Sequence, residues 1–253
     1  MQSLLREYAR NHVGGLPFGI VVRITSAICE ALHDAYFEPG PDGAPRRIVH
    51  ECVGPANVIV GYDGSVSLVA GSAHATPDES KSGYMSPEQI KSQPLDHRAD
   101  IFSLGTLLWE MLVGKRLFKR DTDMQMLYAI LEESIPPPSV RNDKLPPAVD
   151  RVVMRALARA REDRYADALE LARDVQAIAK DTDGGTDAST LARFVRDLLP
   201  EEPASIATPE RRDAPPRADT APPASSGSGM VIAILVLVLI SSIGFWIAIA
   251  PNL

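Results

Sequence analysis

The sequence predicts a mainly α-helical domain with one small β-hairpin, joined by a linker to a C-terminal transmembrane helix. Three observations carry that prediction. Apolar residues recur at helical spacing through residues 1–180, and the stretch from Ile101 to Gly114 is apolar almost all round. Val58-Ile59-Val60 and Val66-Ser67-Leu68-Val69 are β-branched runs separated by Gly61-Tyr62-Asp63-Gly64, where Asp63-Gly64 is a hairpin-turn signal. Met230 to Ala250 is an uncharged, mostly aliphatic run of 21 residues.

The composition narrows the class of protein. A chain of 253 residues, 45% of them hydrophobic, can bury the core of one large domain with appendages to spare. With 26 Lys and Arg against 33 Asp and Glu, the net charge is −7, and no basic run interleaved with aromatics suggests nucleic acid as a partner. Cys29 and Cys52 lack CxxC spacing, so a reducing compartment is expected, with neither a disulfide framework nor a zinc site. The first 15 residues carry Arg6, Glu7 and Arg10 and no apolar signal-peptide core.

The elements follow in order. Gln2 to Arg10 reads as a short helix ended by Gly14-Gly15. Pro17 suits the first turn of a longer helix with Val21, Ile24, Ile28 and Leu32 on one face and Cys29 beside them. Glu38 to Pro45 is a Pro- and Gly-rich loop. It leads to the polar stretch Ile48 to Val60 and the hairpin. Ala70 to Gly83 reads as a long loop, and Ser86-Pro87-Glu88 opens a short helix.

The apolar helix from Ile101 is too short to cross a bilayer and is expected at the centre of the domain. Gly114 ends it, placing Lys115 and Arg116 at the negative end of its dipole. Further helices are expected over 123–133, 147–160 and 165–180, and an additional one over 186–199.

Residues 200–229 hold seven prolines and end in Ser225-Ser226-Gly227-Ser228-Gly229, the composition of a disordered tether. Residues 230–250 then span roughly 31 Å as a helix, about a bilayer's hydrocarbon thickness. Trp246 suits the membrane interface. Arg211, Arg212 and Arg217 favour keeping the globular side in the cytoplasm. The expected topology is a single-pass tail anchor.

Several landmarks now stand in a telling order. They are His50-Glu51-Cys52 with Asn57 seven residues after the His, the hairpin, Ser86-Pro87-Glu88, Asp100-Ile101-Phe102-Ser103-Leu104-Gly105, and Arg164-Tyr165. In this, residues 1–180 resemble the C-terminal lobe of a bacterial Hanks-type serine/threonine protein kinase. The resemblance implies that His50 and Asn57 take the His and Asn positions of the catalytic loop. It also implies that Glu88 pairs with Arg164 to lock the activation segment, that Asp100 caps the loop backbone from the buried helix, and that Ile59 lies under an adenine ring.

The departures from the family bear on chemistry. Cys52 stands at the catalytic Asp position, and a thiol, with a reference pKa near 8.5, is not an anionic acceptor at neutral pH. Glu51 replaces the Arg that receives a phosphorylated activation loop. Ala70-Gly71-Ser72 stands where the family has Asp-Phe-Gly, removing the metal-binding carboxylate. Met1 falls near the family's hinge, so the N-terminal lobe, with its glycine-rich loop and strand lysine, is expected to be absent. Asn57 alone does not supply the carboxylate charge that Mg²⁺ requires.

Neither a cysteine nucleophile built from His50 and Cys52 nor a metal site at His50, Glu51 and Cys52 is supported by their spacing. His12, His33, His74 and His97 are scattered, and are expected to be exposed or singly hydrogen-bonded. Asn57 is expected to serve the loop backbone. The resulting expectation is a membrane-anchored, catalytically silent module that binds another protein, a kinase or kinase substrate, with no cofactor and no metal. Two alternatives remain. One is a serine/threonine kinase, with ATP and Mg²⁺, whose N-lobe is supplied elsewhere; the other is a truncated remnant without function.

Overall fold

In a computed structural model of the chain, the structure describes residues 1–69, 81–180 and 187–200. Its order is α1 (Gln2–Asn11), α2 (Phe18–Phe37), β1 (Val58–Val60), β2 (Val66–Leu68), a 3-10 turn (Lys81–Tyr84), α3 (Pro87–Ile90) and α4 (Arg98–Val113). Then come α5 (Asp123–Glu132), α6 (Pro138–Arg141), α7 (Ala148–Ala156), a second 3-10 turn (Arg161–Asp163), α8 (Ala168–Ala179) and α9 (Ala188–Leu198). These described residues all belong to the unit Met1–Ser205. Ala70 and the segments expected to form a linker (200–229, beyond Pro200) and a membrane span (230–250) lie outside the described residues. Among the described residues, no helix is long and apolar enough to cross a membrane.

α4 is the centre of the domain because its sequence leaves no face for water. Every residue from Ala99 to Val113 is buried. α2 presents Val21, Ile24, Ile28 and Leu32 to that core, with Cys29 also fully buried, and packs chiefly on α8 and α4. Burial pushes the Cys29 thiol well above its ordinary range, so it acts as a small apolar group.

Polar groups inside this core are consumed locally. Ser103 Oγ donates to the Tyr84 carbonyl at 2.7 Å. Buried Glu110 accepts from Tyr84 Oη at 2.6 Å and from Leu117 N at 3.0 Å. Trp109 donates to the Pro136 carbonyl at 2.8 Å.

The hairpin pairs Val58 with Leu68, Ile59 with Ser67 and Val60 with Val66, antiparallel. Gly64 takes φ +80° in its turn, which faces the start of α9. Arg196 of α9 donates to the Tyr62 carbonyl at 3.0 Å, and Phe194 meets Tyr8 of α1 at 5.7 Å between ring centroids. α9 therefore ties the hairpin to α1.

Three boundaries differ from those read in the sequence, each for a tertiary reason. α4 begins at Arg98, so Asp100 lies in its first turn and can point its carboxylate back toward the preceding loop. α7 ends at Ala156, four residues before the expected Ala160, because the chain turns there to aim the carbonyls of Ala158 and Arg159 at the Arg164 guanidinium. α8 starts at Ala168, where Asp167 caps it by accepting from Leu169 N. The short α6 has no counterpart in the sequence pattern, its four residues being too few to show periodicity.

Candidate functional site

The loop from Ile48 to Asn57 leaves α2, crosses the N-terminal end of α4 and enters β1. Its geometry is set by one carboxylate. Asp100, 2% exposed, accepts from His50 N through Oδ2 and from Glu51 N through Oδ1, both at 2.8 Å. Two successive amides can converge on one carboxylate only if the backbone bends sharply. Glu51 accordingly takes φ +62°, a left-handed conformation uncommon for a non-glycine residue. The Glu51 carbonyl is held from the other side by Gln89 Nε2 at 2.9 Å. Gln89 is itself fixed in the Ser86 capping box that starts α3.

A second anchor closes the loop onto the hairpin. Val69 N donates to the Asn57 carbonyl at 2.9 Å. The Val69 carbonyl accepts from Asn57 Nδ2 at 3.1 Å and from His50 Nε2 at 3.0 Å. A carbonyl only accepts, so His50 carries its proton on Nε2, and burial holds its pKa below the ordinary histidine range. The Cys52 thiol faces Asn57 Oδ1, with Sγ 3.6 Å away. His50, Cys52 and Asn57 are thus brought together around the end of β2, and the last two touch.

The Glu88 and Arg164 positions also meet. Arg164 Nη1 and Nη2 donate to Glu88 Oε1 and Oε2 at 2.6 and 2.8 Å, in a fully buried bidentate pair. The guanidinium also reaches the carbonyls of Ala158 (2.7 Å), Arg98 (2.8 Å) and Arg159 (3.0 Å), and lies 5.0 Å above the Phe102 ring. Ile59 projects from the exposed side of β1, 45% accessible, into a cavity of about 730 Å³ between β1, α1 and α9.

Some participants were not legible in advance. Gln89 had a visible signal in the Ser-x-x-Gln capping-box spacing, and Val69 offered none, since only its backbone is used. His33 and His97 are each singly hydrogen-bonded, as expected, His97 Nε2 lying 2.6 Å from the Ala166 carbonyl, and what the sequence did not show is that both join an aromatic cluster. His33 Nδ1 is 2.9 Å from Asp167 Oδ1, and the His97 ring lies tilted to Tyr36 and edge-on to Phe37, with centroids 4.2 and 5.3 Å away.

Burial pushes the Asp100 carboxyl up to about 7, with its two amide donors pulling the other way. Between 3.8 and about 7 the folded protein then holds a proton that the unfolded chain has released. Stability contributed by this group is full at the acid end of that window and is lost as pH rises through it. Asp100→Asn, which cannot ionise, is expected to flatten the melting-temperature profile between pH 5 and 8 relative to wild type. Identical slopes in calorimetry would refute the shift.

The fold and this loop define a class, the protein-kinase-like fold. The chain belongs to the protein kinase family, whose protein kinase domain matches residues 41–211. It is 29% identical over 197 residues to the tyrosine-protein kinase MasK of Myxococcus xanthus, covering 74% of this chain and 30% of that protein. To the serine/threonine-protein kinase PknL of Mycobacterium tuberculosis it is 35% identical over 144 residues, covering 53% of this chain and 36% of PknL. The structure resembles that of a mutant Mycobacterium tuberculosis PknI kinase domain with a TM-score of 0.52 at 25% identity, over 69% of this chain and 60% of that one. The chain spans about a third of the length of these curated relatives.

Proposed function

We propose that this protein is a membrane-tethered, catalytically silent kinase-fold module that works by binding another protein. The observation that carries the reading is the Cys52 and Asn57 contact at the centre of the loop. Where the family places a carboxylate, a thiol faces the Asn57 side-chain oxygen at 3.6 Å, while the Asn57 amide nitrogen is spent on the Val69 carbonyl. Mg²⁺ is a hard cation that needs carboxylate charge and several ordered oxygens, and these two side chains do not fit it. Position 70, Ala in the sequence, adds no carboxylate.

The groups that shape the lobe are retained beside the altered chemical ones. Asp100 and the Glu88–Arg164 pair serve an inactive lobe as well as an active one, so selection for a shaped surface accounts for both sets. The apolar run 230–250, with the Pro-rich 200–229 segment before it, supports anchoring of a cytoplasmic module to a membrane.

The test is nucleotide binding. Titrating the full chain with Mg²⁺-ATP to millimolar concentration is expected to leave its melting temperature unchanged. A rise of several degrees, as ligand linkage demands for a site with micromolar affinity, would favour the rival reading of a kinase completed by a lobe from elsewhere.

A further inference from the structure

We propose that the cationic pocket between α1, the loop after α4 and the start of α5 docks an acidic segment of a partner protein, one with an apolar side chain among its carboxylates. The inference rests on the reading of this lobe as a protein-binding module and names the partner's chemistry.

The pocket encloses about 490 Å³ beside Pro55 of the central loop. Arg6 of α1 lines it together with Lys115, Arg116, Lys119 and Arg120. Five cations at one cavity run against the balance of a chain whose net charge is −7. The carboxylates there are Glu110, Asp121 and Asp123. Glu110 is buried and turned inward, its oxygens taken by Tyr84 Oη, Leu117 N and Arg116, so it offsets Arg116 and leaves the exposed lysines uncompensated.

The cations divide into two kinds. Arg116 is committed to Glu110 at 3.2 Å and lies 4.8 Å above the Tyr84 ring, and Arg120 pairs with Glu133. The charge of these two is largely offset by their carboxylate partners, so they serve as fixed walls. Lys115 and Lys119 are exposed, and no described carboxylate pairs with either. Their ammonium groups are therefore open to an incoming carboxylate.

The remaining lining selects among anions. Leu5, Ala9 and Met126 supply an apolar floor, which a bare phosphate or a purely acidic run would leave wet. Among the described residues no aromatic side chain lines the cavity, so it lacks the stacking platform on which single-stranded nucleic acid depends. A peptide alternating carboxylates with aliphatic side chains satisfies both the exposed lysines and the floor.

The probe is a fluorescein-labelled octapeptide alternating glutamate and leucine, titrated by anisotropy into the full chain in an uncharged detergent. The controls are the lysine and leucine counterpart and a short single-stranded DNA. The acidic peptide is expected to bind, and to weaken several-fold as NaCl rises from about 50 to about 500 mM. Charge reversal in Lys115→Glu with Lys119→Glu is expected to weaken it by roughly tenfold or more, with only a small fall in melting temperature from the lost cation at the end of α4. Should that variant melt early, Lys115→Ala with Lys119→Ala reads the same loss in smaller measure.

Equal binding of the basic peptide or of the DNA, unchanged binding by the charge-reversed protein, or no binding at millimolar peptide would each overturn the proposal. Failure here with no Mg²⁺-ATP binding removes the pocket and leaves the non-catalytic reading standing. Mg²⁺-ATP binding with acidic-peptide binding intact does the reverse.

Discussion

Replacing Arg164 by Ala is expected to lower the unfolding free energy by about 3–5 kcal/mol, the loss that follows when one member of a buried ion pair is removed. On a domain stable by about 5–15 kcal/mol, that is a large share of the total. The size comes from what the substitution strands. The Glu88 carboxylate remains buried with neither of its guanidinium bonds, and the carbonyls of Ala158, Arg98 and Arg159 lose their donor as well. Urea unfolding followed by circular dichroism measures it.

The reciprocal Glu88→Ala is expected to cost less, because Arg164 keeps three carbonyl acceptors. The double variant is expected to fall well short of the sum, since each single change already breaks the shared contact. Additive losses would show that the pair is not the organising interaction that its geometry indicates.

Gly15→Ala is expected to destabilise the domain for a steric reason. A Cβ at Gly15 would lie 2.0 Å from the Leu112 carbonyl oxygen and 2.5 Å from that of Met111. Both oxygens belong to the last turn of α4, to which the next residue is bonded by Leu16 N and the Met111 carbonyl at 2.7 Å. Neither backbone can yield without shifting α2 away from the core. Overpacking of this kind costs about 1–3 kcal/mol and occasionally more.

Gly43→Ala provides the control. Gly43 has φ +78° with nothing within 4 Å of its Cβ position, so only the conformational strain, about 1–2 kcal/mol, should appear. If the two variants melt together, the close approach of the α1–α2 connection to α4 is not what this architecture depends on.

Much of the lobe was legible because its signals are local. The hairpin followed from two β-branched runs around Asp63-Gly64, and the helix ending at Gly114 from a glycine that indeed takes φ +75°. The central burial of α4 followed from the lack of any polar face. The boundaries that moved were those where a carboxylate or guanidinium elsewhere in the chain overrides propensity. Asp100 recruits the amides of His50 and Glu51 across about fifty residues. Arg164 draws two carbonyls out of what periodicity marks as helix.

The candidate site shows the same division. That position 52 holds a thiol and position 70 an alanine is a property of the sequence, and it already limits the chemistry available. That Cys52 faces Asn57, that Asn57 is spent on Val69, and that Lys115 and Lys119 share a pocket with Arg6 belong to the tertiary structure alone. Residue identity sets which charges and donors exist, because ionisation and hydrogen-bonding capacity are carried by each side chain. Which of them meet depends on elements distant in sequence being pressed together by burial of α4, and no local pattern encodes that.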